Sequence, residues 1–123
     1  MICLDTNYLI RCVELGSEEA ARMEDWYRAG EQMVVPMAAW FEFICGPLTR
    51  DQELTARTFL TDLLPFSETH AQEATRLYNA AGRKRSLRVD SMIAGTAIGA
   101  KARLATANRD NFAPFLDYGL ELI

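Results

Sequence analysis

An apolar run meets an acidic residue in Met1-Ile2-Cys3-Leu4-Asp5-Thr6-Asn7, the first seven residues of the chain. A short run that is apolar at successive positions is typical of a strand buried on both faces, as in a parallel sheet. The change of composition at Asp5 marks the end of this predicted strand. Because ligands of parallel α/β sheets bind beyond the carboxyl ends of the strands, Asp5 is the first candidate functional residue.

Short apolar runs alternate with helical patterns along the rest of the chain. The predicted strands are residues 1–4, 32–35, 103–106 and 120–123, with a brief one at 64–66. Helical spacing of apolar residues separates them, and glycines or Gly46-Pro47 end most of the helices. Thr69 is the predicted cap of one helix, with His70 near its start. This order predicts a single α/β domain over residues 1–123, with a mainly parallel central sheet and flanking helices.

One predicted helix, Asp90 to Ala102, is unusually rich in small residues. They are Ala94, Gly95, Thr96, Ala97, Gly99 and Ala100. A helix of small residues can approach a neighbour closely, so we expect it to lie in the centre of the domain. Asp90 opens this helix, where the positive end of the helix dipole favours a carboxylate.

The composition fits a compact domain, since half of the 123 residues are apolar and 24% are charged. No apolar run approaches the roughly 18 residues of a membrane helix. The N-terminus lacks the pattern of a secretory signal, so a cytoplasmic location is expected. Cys3, Cys12 and Cys45 show no paired spacing and are expected to be buried, reduced thiols.

Four acidic residues fall at the ends of separate elements: Asp5, Glu42, Asp90 and Asp110. Asp5 and Asp110 follow strands, whereas Glu42 lies in the helix after the second strand, among aromatic residues that are expected to bury it. Taken singly, Asp5 and Asp90 could be helix caps and Asp110 a turn residue. Four acids at one sheet edge are better explained together, as a single pocket.

Clustered carboxylates indicate metal binding. Two such charges about 4 Å apart repel by roughly 4 kcal/mol at an effective dielectric of 20, which a cation relieves. Oxygen ligands without His or Cys select Mg²⁺ or Mn²⁺, and His70 lies far from these motifs. The chemistry expected of such a site is phosphoryl transfer to water. Thr6 and Asn108 are placed to orient ligands or a phosphate.

The net charge of −4 at first argues against a nucleic-acid partner. Four basic residues nevertheless lie close together just before Asp90: Arg83, Lys84, Arg85 and Arg88. They could contact a phosphate backbone, or they could be the solvated end of a helix. Both interpretations stay open at the level of sequence.

Four ordered motifs resemble those of PIN-domain ribonucleases, and specifically the VapC toxins of prokaryotic toxin–antitoxin pairs. They are Leu4-Asp5-Thr6-Asn7, Glu42 followed by Gly46, the stretch from Asp90 to Ala97, and the stretch from Leu104 to Phe112. The resemblance implies a Mg²⁺- or Mn²⁺-dependent endoribonuclease that cleaves RNA and forms a homodimer. It also implies inhibition by a VapB-type antitoxin whose tail enters the active site, and a catalytic quartet of Asp5, Glu42, Asp90 and an acid in the last motif.

The last motif departs from the family's pattern, which reads T-x-N-x-x-D/E-F. Here Asn111 precedes Phe112, and the acid is Asp110. Asp110, Asn108 or Asn111 could therefore be the fourth ligand.

Two other functions stay open: a PIN-type RNA-processing nuclease without an antitoxin, and a metal- or RNA-binding module without catalysis. A haloacid-dehalogenase-like phosphatase would need a second Asp two residues after Asp5, where Asn7 stands.

Overall fold

Four parallel strands form the centre of the computed structural model, which describes all 123 residues. They are β1 (Ile2–Leu4), β2 (Met33–Pro36), β3 (Asp62–Leu64) and β4 (Arg103–Ala105). The spatial order is β3-β2-β1-β4, and every pairing is parallel. All three residues of β1 are buried, as the apolar run predicts.

The chain moves outward from β1 to β2 and β3, and then returns to place β4 on the other side of β1. Leu4 at the end of β1 is in register with Ala105 at the end of β4. The residues that follow these two strands therefore meet at one edge of the sheet. A change of direction of this kind is where open α/β sheets bind their ligands.

Seven α-helices flank the sheet. They are α1 (Thr6–Cys12), α2 (Glu18–Arg28), α3 (Met37–Ile44), α4 (Arg50–Phe59), α5 (Glu68–Ala80), α6 (Arg88–Gly99) and α7 (Arg109–Phe112). Two 3₁₀ helices, Arg85–Leu87 and Ala113–Tyr118, precede α6 and follow α7. The predicted α/β fold with a parallel sheet and flanking helices is confirmed. None of the helices combines the length and the apolar character needed to cross a membrane.

Three local predictions are wrong. Residues 120–123 do not form a strand, because only Leu122 pairs with the sheet, in a single bridge to Leu104. The α5 helix is capped by Ser67 instead of Thr69, and His70 completes a capping box with it. The third strand ends at Leu64, before Pro65, which has no N–H to donate to a neighbouring strand.

Two further expectations need correction. The small-residue helix begins at Arg88, two residues earlier than predicted, so Asp90 lies in its first turn and is not its cap. Cys3 and Cys12 are buried as expected, but Cys45 is exposed. Burial raises the pKa of the Cys12 thiol to about 12 and that of Cys3 even further, so both are inert apolar side chains at neutral pH.

The central position of α6 is confirmed, and Gly95 is the reason it can lie so close to α5. A Cβ atom at Gly95 would lie 2.7 Å from the backbone nitrogen of Ala74 and 3.0 Å from the carbonyl oxygen of His70. Both are backbone atoms, which cannot move aside without shifting α5. At Gly99, by contrast, an added Cβ would meet only the ring of His70.

We predict that Gly95→Ala lowers the free energy of unfolding by about 1–3 kcal/mol, because overpacking forces the two helices apart. Gly99→Ala is the matched control and should cost less, since a side chain can rotate away. Urea titration of both variants measures the difference. Equal losses in the two variants would contradict this account of the close approach.

Candidate active site

Asp5 is buried directly after β1, with only 4% of its surface exposed. Its Oδ1 accepts a 2.7 Å hydrogen bond from the backbone N–H of Thr6, which makes it the N-cap of α1. Its Oδ2 accepts another, also 2.7 Å long, from the hydroxyl of Thr106. Burial raises the pKa of Asp5, whereas these two hydrogen bonds lower it and the charge of Glu42 raises it further. Capping and membership of an acidic site are therefore compatible roles for this residue.

Thr106 has a role that the local sequence pattern did not predict. It is buried directly after β4, and its hydroxyl also accepts a 2.9 Å hydrogen bond from the backbone N–H of Asn108. Its side chain thus joins the ends of β1 and β4 and shapes the loop toward α7. The signal available in the sequence was a hydroxyl residue at the end of a predicted strand, next to the motif's asparagine.

Glu42 lies near the end of α3, and the expectation that aromatic residues bury it is wrong. The side chain is exposed, and so is Phe41 beside it, whereas Trp40 and Phe43 face the core. A 2.8 Å hydrogen bond from the hydroxyl of Thr6 to Oε1 fixes the position of Glu42. Thr6 therefore serves two carboxylates, through its backbone N–H to Asp5 and its hydroxyl to Glu42.

Asp90 is half-buried in the first turn of α6. Burial raises the pKa of its carboxyl to about 6, and the negative charges of Asp5 and Glu42 add to the effect. The helix dipole favours the charged form of an acid at this position, but burial and the neighbouring acids outweigh it. Asp5, Glu42 and Asp90 thus form one electrostatically coupled group, which we call the acidic cluster.

Asp110 lies in the first turn of α7, in the segment after β4, and its side chain is exposed. It is not among the charges that raise the pKa of Asp5 or Asp90. Asn108, the N-cap of α7, contacts the site through its backbone N–H to Thr106, and Asn111 is exposed. The identity of the fourth ligand therefore stays a prediction.

The four basic residues before the acidic cluster are exposed. Arg83 and Arg88 place their guanidinium groups 5.4 Å and 5.9 Å from the centre of the Tyr78 ring. None of the four forms an ion pair with an acidic side chain, whereas Arg11, Arg28 and Arg76 each do. Their positive charge is therefore available to an external anion.

The donor types of the acidic cluster fit a hard divalent cation, since all are carboxylate oxygens with hydroxyl groups beside them. A cation would also reduce the repulsion between these carboxylates, which contributes to the raised pKa of Asp90. No three acidic, His or Cys side chains converge on one point as a preformed metal site. The hydrogen bonds of Thr6 and Thr106 hold two of the carboxylates in this arrangement.

Comparison with known protein families identifies the family of this chain. The family model of the PIN domain matches residues 2–115, so the chain belongs to the PIN-domain family. A comparison with curated proteins finds no significant match.

Solved structures of similar fold include a toxin–antitoxin complex, VapBC2 and FitAcB. A toxin–antitoxin complex from Klebsiella pneumoniae is 25% identical, with a TM-score of 0.73 over 92% of this chain and 91% of that one. VapBC2 from Rickettsia felis, bound to a DNA fragment from its promoter, is 19% identical. The TM-score is 0.77, and the match covers 100% of this chain and 98% of that one. FitAcB from Neisseria gonorrhoeae is 18% identical, with a TM-score of 0.78, and the match covers 100% of this chain and 96% of that one.

The crowding of carboxylates generates a prediction about stability. The pKa of Asp90 is about 6 in the folded chain and about 3.9 in an unfolded one, so the folded state binds more protons between these values. Its contribution therefore makes the free energy of unfolding fall as pH rises from about 4 to 6. Asp90→Asn should remove this loss and raise the Tm at pH 7 in EDTA. Because solvent screens the charge of a half-buried group, we expect the free energy of unfolding to rise by about 1 kcal/mol and the Tm by roughly 4 °C.

Calorimetry from pH 4 to pH 8 measures this gain, which should shrink toward pH 4. Asp117→Asn, which changes an exposed carboxylate in the last 3₁₀ helix, is the control and should leave Tm unchanged. If Asp90→Asn is less stable than the wild type at pH 7, the charged form of Asp90 does not destabilise the folded protein and the prediction is wrong.

Proposed function

We propose that this protein is a divalent-metal-dependent endoribonuclease, the toxin of a VapC-type toxin–antitoxin pair. The main support is the acidic cluster at the edge where β1 and β4 end, in which two threonine side chains hold the carboxylates of Asp5 and Glu42. Membership of the PIN-domain family agrees with a nuclease activity. One structural relative is a toxin–antitoxin complex, and another is VapBC2, whose name agrees with a VapC-type toxin.

In this proposal Asp5, Asp90 and Asp110 hold Mg²⁺ or Mn²⁺, and Glu42 completes the site. Bound there, the cation would acidify the attacking water and stabilise negative charge on the phosphate oxygens. Thr106 and the N–H of Thr6 orient Asp5, so that this buried carboxylate needs no rearrangement before it acts.

Glu42 is the most accessible carboxylate of the acidic cluster, because it is exposed and fixed only through the Thr6 hydroxyl. An exposed carboxylate at hydrogen-bonding distance from a fixed hydroxyl can accept a proton from water that enters the site. We assign it this proton-accepting role. Asn108 and Thr6 would orient the phosphate.

Exposed apolar side chains favour protein partners. They lie on α1 and α3 and are Ile10, Met37, Phe41 and Ile44. Ile10 also lines a groove of about 270 Å³ that runs between Val13, Phe43 and Leu48. Such a surface suits an apolar segment of a VapB-type antitoxin or the second subunit of a homodimer. A cytoplasmic location agrees with an RNA substrate.

The basic residues Arg83, Lys84, Arg85 and Arg88 are proposed to contact the RNA backbone. Arg88 precedes Asp90 by two residues in the first turn of α6, so the two side chains leave the helix on different faces, and Arg88 packs on the Tyr78 ring. Arg83 has a positive φ of 61°, a conformation that costs a non-glycine residue free energy. The Tyr78 hydroxyl stabilises it by donating to the carbonyl oxygen of Arg83 at 2.8 Å.

An RNA-processing nuclease without an antitoxin, and a binding module without catalysis, are the alternatives. Growth arrest on expression, relieved by co-expression of the adjacent upstream reading frame, separates a toxin from a processing enzyme. Harmless expression of an active nuclease would favour RNA processing.

We predict that Asp5→Asn lowers cleavage of RNA in Mg²⁺ or Mn²⁺ by about 100-fold or more, because it removes the best-positioned carboxylate. Sequencing of RNA 5′ ends after brief induction identifies the cleaved bonds. Asp117→Asn is the control and should cleave like the wild type. Equal activity of the wild type and Asp5→Asn would refute the proposed site, and cation binding without any cleavage would favour the binding module.

A second prediction concerns the basic residues. Lys84→Gln with Arg85→Gln avoids the two arginines that pack on Tyr78 and should weaken RNA binding uniformly across sequences. The slope of log K against log salt should become shallower by about 1.4, since each lost phosphate contact on a single strand contributes about 0.7. Fluorescence anisotropy in an Asp5→Asn background measures it. Lys101→Gln, near the other end of α6, is the control; an unchanged slope in the double variant would make these residues a solvated surface.

A further inference from the structure

A polar cavity of about 330 Å³ adjoins the acidic cluster through Thr106. The ring of Tyr8 and the Thr106 side chain line it, and we call it the Tyr8 cavity. Its charged lining comes from Arg11, Arg22, Arg109, Glu18 and Glu19. Because the Thr106 hydroxyl donates to Asp5, a molecule in this cavity lies one side chain away from a proposed catalytic carboxylate.

The hydroxyl of Tyr8 is the only buried side-chain polar atom of the chain without a hydrogen-bond partner. The residue is 2% exposed, and its ring stacks on Trp26 with 5.6 Å between centroids. An unpaired buried hydroxyl costs about 1–3 kcal/mol, so its presence needs an explanation. Tyr8 shares the wall of this cavity with Arg22, Glu18 and Glu19.

The cations of the cavity are weakly engaged within the protein. Arg22 lies 5.0 Å from the Trp26 ring and pairs with no carboxylate. Arg109 donates a 3.1 Å hydrogen bond to the carbonyl oxygen of Ile123, and the nitrogen of Arg11 lies 3.8 Å from Glu19. Guanidinium groups in this state suit an anionic ligand, and phosphate in particular.

We propose that the Tyr8 cavity binds one nucleotide of the RNA strand, next to the bond that is cleaved. Arg11, Arg22 and Arg109 hold its phosphate, while the Tyr8 hydroxyl and the two glutamates form hydrogen bonds with its base or ribose. This proposal rests on the proposed ribonuclease function and adds the side chains that select the substrate.

The mixed lining favours a nucleotide over a simple anion. Glu18 and Glu19 would repel inorganic phosphate, but carboxylates accept hydrogen bonds from the amino groups of bases and from ribose hydroxyls. A volume of about 330 Å³ lies at the lower end of the range for small-ligand sites, about 300–1,000 Å³. It accommodates one nucleotide and excludes a duplex.

Nuclear magnetic resonance of the metal-free protein tests binding without any need for cleavage. The probes are the four nucleoside 5′-monophosphates, titrated in EDTA, with inorganic phosphate as a separate titration. The indole N–H signal of Trp26, identified by its absence in Trp26→Phe, should shift because Trp26 stacks on Tyr8. The Trp40 signal is an internal control, since that ring contacts Phe43 and Arg57 away from the cavity.

Shifts of Trp26 that saturate with one or more nucleotides and weaken in Tyr8→Phe support the proposal. An equal response to inorganic phosphate would show that the cavity binds anions without selecting nucleotides, and would overturn the proposal. No response to any nucleotide would overturn it as well.

Tyr8→Phe tests the specificity directly, because it removes only a hydroxyl that has no partner in the free protein. The variant should be at least as stable as the wild type, yet cleave its preferred sequence about three- to tenfold less efficiently in kcat/KM. In a randomised RNA library, its base preference beside the cleaved bond should relax. Tyr27→Phe changes an exposed ring elsewhere on α2 and is the control; it should leave kcat/KM and the base preference unchanged.

The outcomes separate this proposal from the nuclease function. A wild-type protein that cleaves no RNA refutes the nuclease, whatever the Tyr8 variant does. A wild-type protein that cleaves with a base preference retained in Tyr8→Phe refutes only the Tyr8 cavity as the selecting site. A marked loss of stability in Tyr8→Phe would show that the hydroxyl is satisfied within the protein, and would also refute it.

Discussion

The hydrogen bond from Thr106 to Asp5 joins the two strands between which the sheet changes direction. The two residues are 101 positions apart, and their contact depends on the parallel register that aligns Leu4 with Ala105. A carboxylate buried at this edge is costly unless hydrogen bonds satisfy it. Thr106 and the first N–H of α1 provide them, so the end of β1, the start of α1 and the loop after β4 are fixed together.

This arrangement holds negative charges close to one another, and the fold tolerates the cost. The raised pKa of Asp90 shows that its charged form is disfavoured by burial, by Asp5 and by Glu42. Stability alone would favour an amide or an apolar residue at such a position. Sites that are kept despite a cost in stability are typical of function, because activity often requires strained or repelling groups.

The sequence could predict those features that depend on local pattern. The buried strand before Asp5, the small-residue helix and the parallel order follow from composition and spacing, and the positions of Asp5 and Asp90 follow from these elements. The environment of Glu42 could not be predicted in this way, because aromatic neighbours in sequence do not lie on the same face of a helix. The role of Thr106 depends on a contact between distant residues, which no local pattern encodes.

Net charge is a poor guide to this protein's partners, because the charges are unevenly distributed. Thr106 belongs both to the Tyr8 cavity, with its three arginines, and to the hydrogen bond with Asp5. The arginines of the Tyr8 cavity therefore lie one side chain away from the acidic cluster. A polyanion that binds these arginines would lie close to the carboxylates, although the whole chain has a charge of −4. Local placement of charge, and not its sum, decides whether such a strand can dock.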